Sequence, residues 1–286
     1  MADPETVQRL KELAYRQRVK LLELCGSYEG PVHIGGDLSM TDVLIALYHY
    51  GMHVDPNDIS MPDRDRFILS KGHAAVCMYI TMAMRGFFDM DMIFNTYAQL
   101  DSAFGMHPCK VQLPGVETSA GSLGHGLSLA CGMALMARQR KENYRVFCMM
   151  GDGETCEGSV WEAAMLASSY KLGNIVGIVD RNHQFMTQYS EKGRMNLEPY
   201  ADKWRAFGWN VLEVDGHDMA QIVDAIDALP PADDEKPTLI LAETIKGKGV
   251  SFMERNIAWH AGKLSEENMR EALAEMAVAY ERGEGS

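Results

Sequence analysis

Two short apolar runs, Arg145 to Met150 and Asn174 to Asp180, flank one amphipathic stretch from Glu157 to Leu172, and this arrangement constrains the fold more than anything else in the chain. The periodicity reads as strand, helix, strand. A crossover of that length joins parallel strands, almost always with a right-handed turn. Each run also ends on polar residues: Gly151-Asp152-Gly153 follows the first and Asn182 follows the second. If the strands are parallel neighbours, both side chains point into one crevice at the carboxyl edge of the sheet, where open α/β folds bind ligands. Further strand signals at Arg66 to Leu69, Trp209 and Thr238 alternate with helical ones at Pro4 to Cys25, from Met40-Thr41-Asp42, Ala74 to Met84 and Leu127 to Arg140. The expected class is therefore α/β, a doubly wound and mostly parallel sheet with helices on both faces. Asp3 is the expected cap of the first helix. His33, ahead of two glycines, reads as a loop residue. Phe87 to Ser122, with Gly105, Pro108, Pro114 and Gly115, reads as a long irregular connection of the kind that carries function.

Asp152 supplies a carboxylate, Asn182 an amide oxygen, and the small residues of Gly151-Asp152-Gly153 let backbone approach a phosphate. One acid, one amide oxygen and a diphosphate suit Mg²⁺, which prefers oxygen ligands and shares them with substrate phosphates. Gly-Asp-Gly is also a common turn, and Asp-Arg-Asn can simply begin a loop. The placement of both at the tips of consecutive strands favours the metal-diphosphate reading.

A net charge of -13 argues against nucleic acid and anionic membrane surfaces as partners, since both require clustered Lys and Arg. The six cysteines are scattered, with no C-x-x-C pair, and read as reduced core thiols of a cytoplasmic protein. Most of the 21 methionines fall in helical patterns and read as core filler. No apolar run approaches the ~18 residues of a membrane span, and the polar, helical N-terminus lacks a leader pattern. The linker-like stretch Pro230 to Pro237 is too short to separate domains, so one domain over residues 1–286 is expected.

Gly-Asp-Gly followed by a helix, a strand and Asn resembles the thiamine-diphosphate signature of the transketolase family. Four further segments match the same family in the same order: His33-Ile-Gly-Gly-Asp-Leu-Ser, Ser70-Lys71-Gly72-His73, Gly121-Ser122-Leu123-Gly124-His125-Gly126 and Lys246-Gly247-Lys248-Gly249. The resemblance spans nearly the whole chain. It implies that thiamine diphosphate is bound with Mg²⁺, for which Ca²⁺ or Mn²⁺ can substitute. The metal ligands would be Asp152, Asn182 and the main-chain carbonyl of Gln184. Gly153 and His73 would attend the diphosphate, Gly151 and Lys246 would belong to the cofactor site, and Gly121 and Leu123 would touch the pyrimidine side of the cofactor. His33, His107 and His260 would handle protons and hydroxyls of the sugar, a task that suits groups titrating near neutrality. Ile257 stands where the family often has another histidine, and His125 where it often has Gln. His49, His53, His183 and His217 have no motif behind them and read as structural. Glu157 and Glu162 begin the helix after Gly-Asp-Gly, where the helix dipole favours acid. They also match family glutamates buried between subunits.

The activity implied is transfer of a two-carbon ketol unit from a ketose, or its phosphate, to an aldose, or its phosphate. Single-chain members are about twice as long and carry further domains, including the one with the catalytic glutamate that meets the aminopyrimidine. The expectation is thus the N-terminal subunit of a two-chain transketolase, active with a separate C-terminal subunit, the pyrimidine-binding one, in an α2β2 heterotetramer. Two other readings remain beside it: a portion of a 2-oxo acid dehydrogenase or deoxyxylulose-phosphate-synthase-like enzyme, and a non-catalytic cofactor-binding module.

Overall fold

The computed structural model describes residues 1–185 and 195–283. Among the described residues five strands form one sheet: β1 (Arg66–Leu69), β2 (Val146–Gly151), β3 (Ile175–Arg181), β4 (Asn210–Asp215) and β5 (Thr238–Glu243), in the spatial order β1-β2-β3-β5-β4. Every pairing is parallel. Among the described residues the α-helices are α1 (Pro4–Ser27), α2 (Ile34–Ser39), α3 (Thr41–Ala46), α4 (Ala75–Arg85), α5 (Met90–Thr96), α6 (Gly126–Arg140), α7 (Gly158–Ser169), α8 (Tyr200–Ala206), α9 (Met219–Asp227) and α10 (Glu266–Glu281).

The central strands are apolar at successive positions because both of their faces are covered. Side chains alternate across a strand. Phe147, Met149, Val176, Ile178, Ile240 and Ala242 enter one core with residues of α1, α3, α4 and α9. Val146, Cys148, Met150, Ile175, Val179, Leu239 and Leu241 enter a second core, with residues of α6, α7 and α8. The parallel, doubly covered sheet expected from the strand-helix alternation is what forms. Asp3 caps α1 as expected, accepting from the Thr6 N–H at 2.9 Å. Cys25, Cys77, Cys131 and Cys148 are buried free thiols, while Cys109 and Cys156 are half-buried. Among the described residues no helix is long and apolar enough to cross a membrane.

Two local expectations need correction. His33 lies outside regular structure, as expected, but the two glycines after it are not loop: His33 is the N-cap residue of α2, whose six residues are all buried. Gly35 and Gly36 are poor helix formers, but the helix is held from outside, with Lys71 Nζ donating to the Gly36 carbonyl at 3.0 Å and the Gly247 N–H donating to the Gly35 carbonyl at 3.0 Å. The stretch from Phe87 to Ser122 is not wholly irregular either. It contains α5, capped by Asp89, which accepts from the Asp91 N–H at 3.0 Å.

Candidate active site

Because the sheet is parallel, the turns after β1, β2, β3 and β5 gather at one edge. They carry Lys71 and His73, Gly151 to Glu154, Asn182 to Phe185, and Lys246. Those turns, together with His33 and Gly36 of α2, His107, Gly121, Leu123 and His260, line one cleft of about 300 Å³. Every candidate catalytic, cofactor and metal residue from the sequence lies on its wall. A larger groove, about 490 Å³, runs beside β4 and β5 past Glu213, Asp215 and Glu243, and contains none of them.

Gly151 pairs in register with Asp180, and the Asp152 N–H donates to the Asp180 carbonyl at 3.2 Å, which holds the two metal-site turns level. Asp152 is 2 % exposed. Burial, followed by the charge of Asp180, raises its carboxyl to about 6. Its oxygens accept from the N–H groups of Gly153 and His183, each at 2.8 Å. Asn182 Oδ1 accepts from the Gln184 N–H at 3.2 Å. The Gln184 carbonyl faces Lys246 Nζ at 3.5 Å, and the side-chain amide of Gln184 is buried with no hydrogen-bond partner among the described residues. A carboxylate, an amide oxygen and a carbonyl are a hard-oxygen set of the kind Mg²⁺ accepts beside phosphate oxygens. The Gln184 amide, without a partner among the described residues, and the raised Asp152 carboxyl fit a site built for a charged, polar ligand. No group of three or more His, Cys, Asp or Glu side chains among the described residues is arranged to hold a metal unaided.

His33, His73 and His260 pack together, with ring centroids 5.3 Å apart for His33 and His73, 5.6 Å for His33 and His260, and 6.0 Å for His73 and His260. Burial, reinforced by Lys71 and Lys246, lowers all three, His260 to about 4. They are neutral acceptors and donors near pH 7. Lys246, lowered by burial to about 8, keeps its proton there, and its Nζ lies 2.6 Å from His260 Nδ1. An ammonium only donates, so His260 accepts at Nδ1 and carries its hydrogen on Nε2. His107 is exposed at the rim.

The glycines divide by role. A Cβ on Gly121 or Gly151 would meet nothing within 4 Å among the described residues, so both leave room in the cleft, whereas one on Gly153 would lie 2.7 Å from the Phe185 ring. Gly153 is thus small on account of Phe185. Gly35 lets α2 approach the turn before His260, since its Cβ would stand 2.6 Å from the Trp259 carbonyl oxygen.

The sequence reading gave no role to three residues central to this architecture. Glu154, 3 % exposed, accepts from the N–H groups of Gly124 at 2.8 Å and Gly151 at 3.1 Å, and from the Ser70 hydroxyl. It thereby joins the 121–126 segment to the Gly-Asp-Gly turn. Lys71 and Asp180 form an ion pair under the cleft, each side chain 1 % exposed. A charged residue at the end of an apolar strand was the available signal for Asp180. His49, His53 and His217 lie outside the cleft lining, and His217 braces Asp42 at 2.8 Å and the Ile245 N–H at 2.8 Å. His183 contributes its backbone to Asp152, as above. Glu157 and Glu162 are exposed on this chain, so the burial expected of them is not met within it.

The family described as "Transketolase, thiamine diphosphate binding domain" matches residues 18–281. An apulose-4-phosphate transketolase subunit from Phocaeicola vulgatus is 40% identical over 276 residues, which are 96% of this chain and 96% of that protein. A 6-deoxy-6-sulfo-D-fructose transketolase subunit from a Clostridium strain is 40% identical over 247 residues, 86% of this chain and 89% of its own length. The solved transketolase of Campylobacter jejuni superposes with a TM-score of 0.83 at 26% identity, over 96% of this chain and 43% of that one. Coverage of short subunits almost end to end, and of less than half of a long enzyme, places the chain in the transketolase family as an N-terminal, thiamine-diphosphate-binding subunit of a divided transketolase.

Proposed function

We propose that the cleft at the carboxyl edge of the sheet holds the diphosphate of thiamine diphosphate through a divalent cation bound by Asp152, Asn182 and the Gln184 carbonyl. The convergence of every candidate catalytic, cofactor and metal residue on one cleft is the observation that carries this reading. When bound, the cofactor supplies a nucleophilic carbon that accepts a two-carbon ketol unit from a ketose phosphate and passes it to an aldose phosphate. Lys71 and Lys246 stand on the cleft wall where they can oppose phosphate charge, the neutral His73 beside them can hydrogen-bond a phosphate oxygen, and Mg²⁺ fits the oxygen set, with Ca²⁺ or Mn²⁺ as substitutes. His33 and His260, held neutral, exchange protons with the sugar's hydroxyl and carbonyl oxygens. His107, at the rim, meets the hydroxyls farther along the sugar. The names of the two short relatives refer to a phosphorylated and a sulfonated ketose, which supports an anionic sugar.

The second half of the site comes from a separate pyrimidine-binding subunit, in an α2β2 assembly. Support lies on α6 and α7, where Leu129 is 45% exposed, Met136 42% and Met165 50%. Glu157, the N-cap of α7, and Glu162, within it, are likewise exposed, as contact between subunits requires. The test is to mix this chain with a separate C-terminal transketolase chain from the same organism and assay ketol transfer. Activity should require both chains, and turnover by the 286-residue chain alone would refute the reading.

A further inference from the structure

Asn182 is useful to a cation only if its oxygen, and not its NH₂, faces the ion. The structure fixes that choice from both ends. The Gln184 N–H can only donate, and it lies 3.2 Å from Asn182 Oδ1. The Asp180 carboxylate can only accept while ionised, and its Oδ2 lies 3.1 Å from Asn182 Nδ2. A flipped amide would set donor against donor at Gln184 and acceptor against acceptor at Asp180.

We propose that Asp180 is a positioning residue: it anchors the NH₂ of Asn182 so that the amide oxygen is presented to the divalent cation. The proposal rests on the metal reading given above. Asp180 is itself held from three other segments. Lys71, beyond β1, and Thr244, beyond β5, both bond to it, and the Ser39 hydroxyl of α2 donates to Oδ2 at 2.6 Å. Lys71 in turn donates to the Gly36 carbonyl at 3.0 Å. The carboxylate is therefore immobile, and the orientation it imposes on Asn182 follows from the packing of β1, β3, β5 and α2 together.

Positioning leaves a signature that general destabilisation does not. Mg²⁺ demands nearly ideal octahedral geometry, while Ca²⁺ tolerates irregular ligands, so a misoriented amide penalises Mg²⁺ more. The experiment measures the apparent Kd of Mg²⁺ and of Ca²⁺, by calorimetry with saturating thiamine diphosphate, for the wild-type chain and for Asp180→Ala. Where the buried, unpaired Lys71 impairs folding, Lys71→Met/Asp180→Leu removes both charges and keeps an apolar volume, an exchange that is often neutral for stability. We expect the Mg²⁺ Kd to rise by about tenfold or more, the range typical when a ligand loses its supporting partner, with a smaller rise for Ca²⁺. An equal rise for both ions, or no change in a folded variant, would overturn the proposal. Absence of any divalent-dependent binding in the wild type would instead overturn the metal reading, and the proposal with it.

Discussion

Gly35→Ala puts the packing of α2 against the His260 turn to a direct test. The added Cβ would stand 2.6 Å from the Trp259 carbonyl oxygen, and reaching even a tight 3.0 Å contact requires the backbone to give by about 0.4 Å. The obstacle is main chain on both sides, so no rotamer change relieves it. Overpacking of this kind costs ~1–3 kcal/mol, which urea unfolding of the chain without cofactor would register. The displacement falls between His33 and His260, whose rings are 5.6 Å apart. Because a misplacement of ~1 Å can cost on the order of a hundredfold in rate, about half that shift should lower ketol transfer with the partner subunit by roughly tenfold. Gly132→Ala is the control. Gly132 lies inside α6 with nothing within 4 Å of an added Cβ, so alanine there should stabilise by ~0.5–1 kcal/mol. Should Gly35→Ala prove as stable as Gly132→Ala, or its turnover stay within twofold of wild type, the close-approach argument is wrong.

Asp152→Asn should leave the cofactor-free chain as stable as wild type or more so, because it removes a carboxyl whose ionisation burial already opposes, yet cost divalent-dependent cofactor binding ~100-fold. Calorimetry with and without Mg²⁺ reads both, and retained Mg²⁺ dependence would count against the assignment. Glu154→Ala strands the N–H groups of Gly124 and Gly151, at ~1–3 kcal/mol for each buried group left unpaired; wild-type stability by urea unfolding would contradict this. His260, with an ordinary value of 6.5 lowered to about 4, is neutral in the folded chain while the unfolded chain takes up protons. The stability it lends is present above pH 6.5 and is lost as pH falls toward 4, by no more than ~1.4 kcal/mol per pH unit. His260→Phe should flatten that region of the stability curve, and an unchanged slope would refute the shift.

The unit from β2 through α7 to β3 was legible because local pattern and final topology agree there: apolar runs of strand length, one helix, and polar residues at both tips. The cleft residues followed from short motifs at strand ends, since a parallel sheet brings all such ends to one edge. What stayed hidden depends on pairings that adjacency in sequence does not express. Nothing local announces that Lys71 and Asp180 meet, or that Glu154 reaches Gly124, because each contact needs the register of β1, β2 and β3 to be known. Helix α2 was missed for a related reason. Gly35 and Gly36 argue against a helix on propensity, and it forms because Lys71, Gly247 and the turn before His260 hold its backbone from outside.

The strand order also dictates when the cleft can exist during synthesis. β1 is made about eighty residues before β2, the strand it pairs with, and β5, last to emerge, inserts between β3 and β4. Pairings that distant in sequence form slowly and only after much of the chain is available. A nascent chain that ends before Thr238 leaves β3 with an open edge and β4 without the neighbour it pairs with. The binding edge thus closes late, after Lys246 and His260 have left the ribosome, and until then the apolar edge of β3 is exposed to whatever protects growing chains from aggregation.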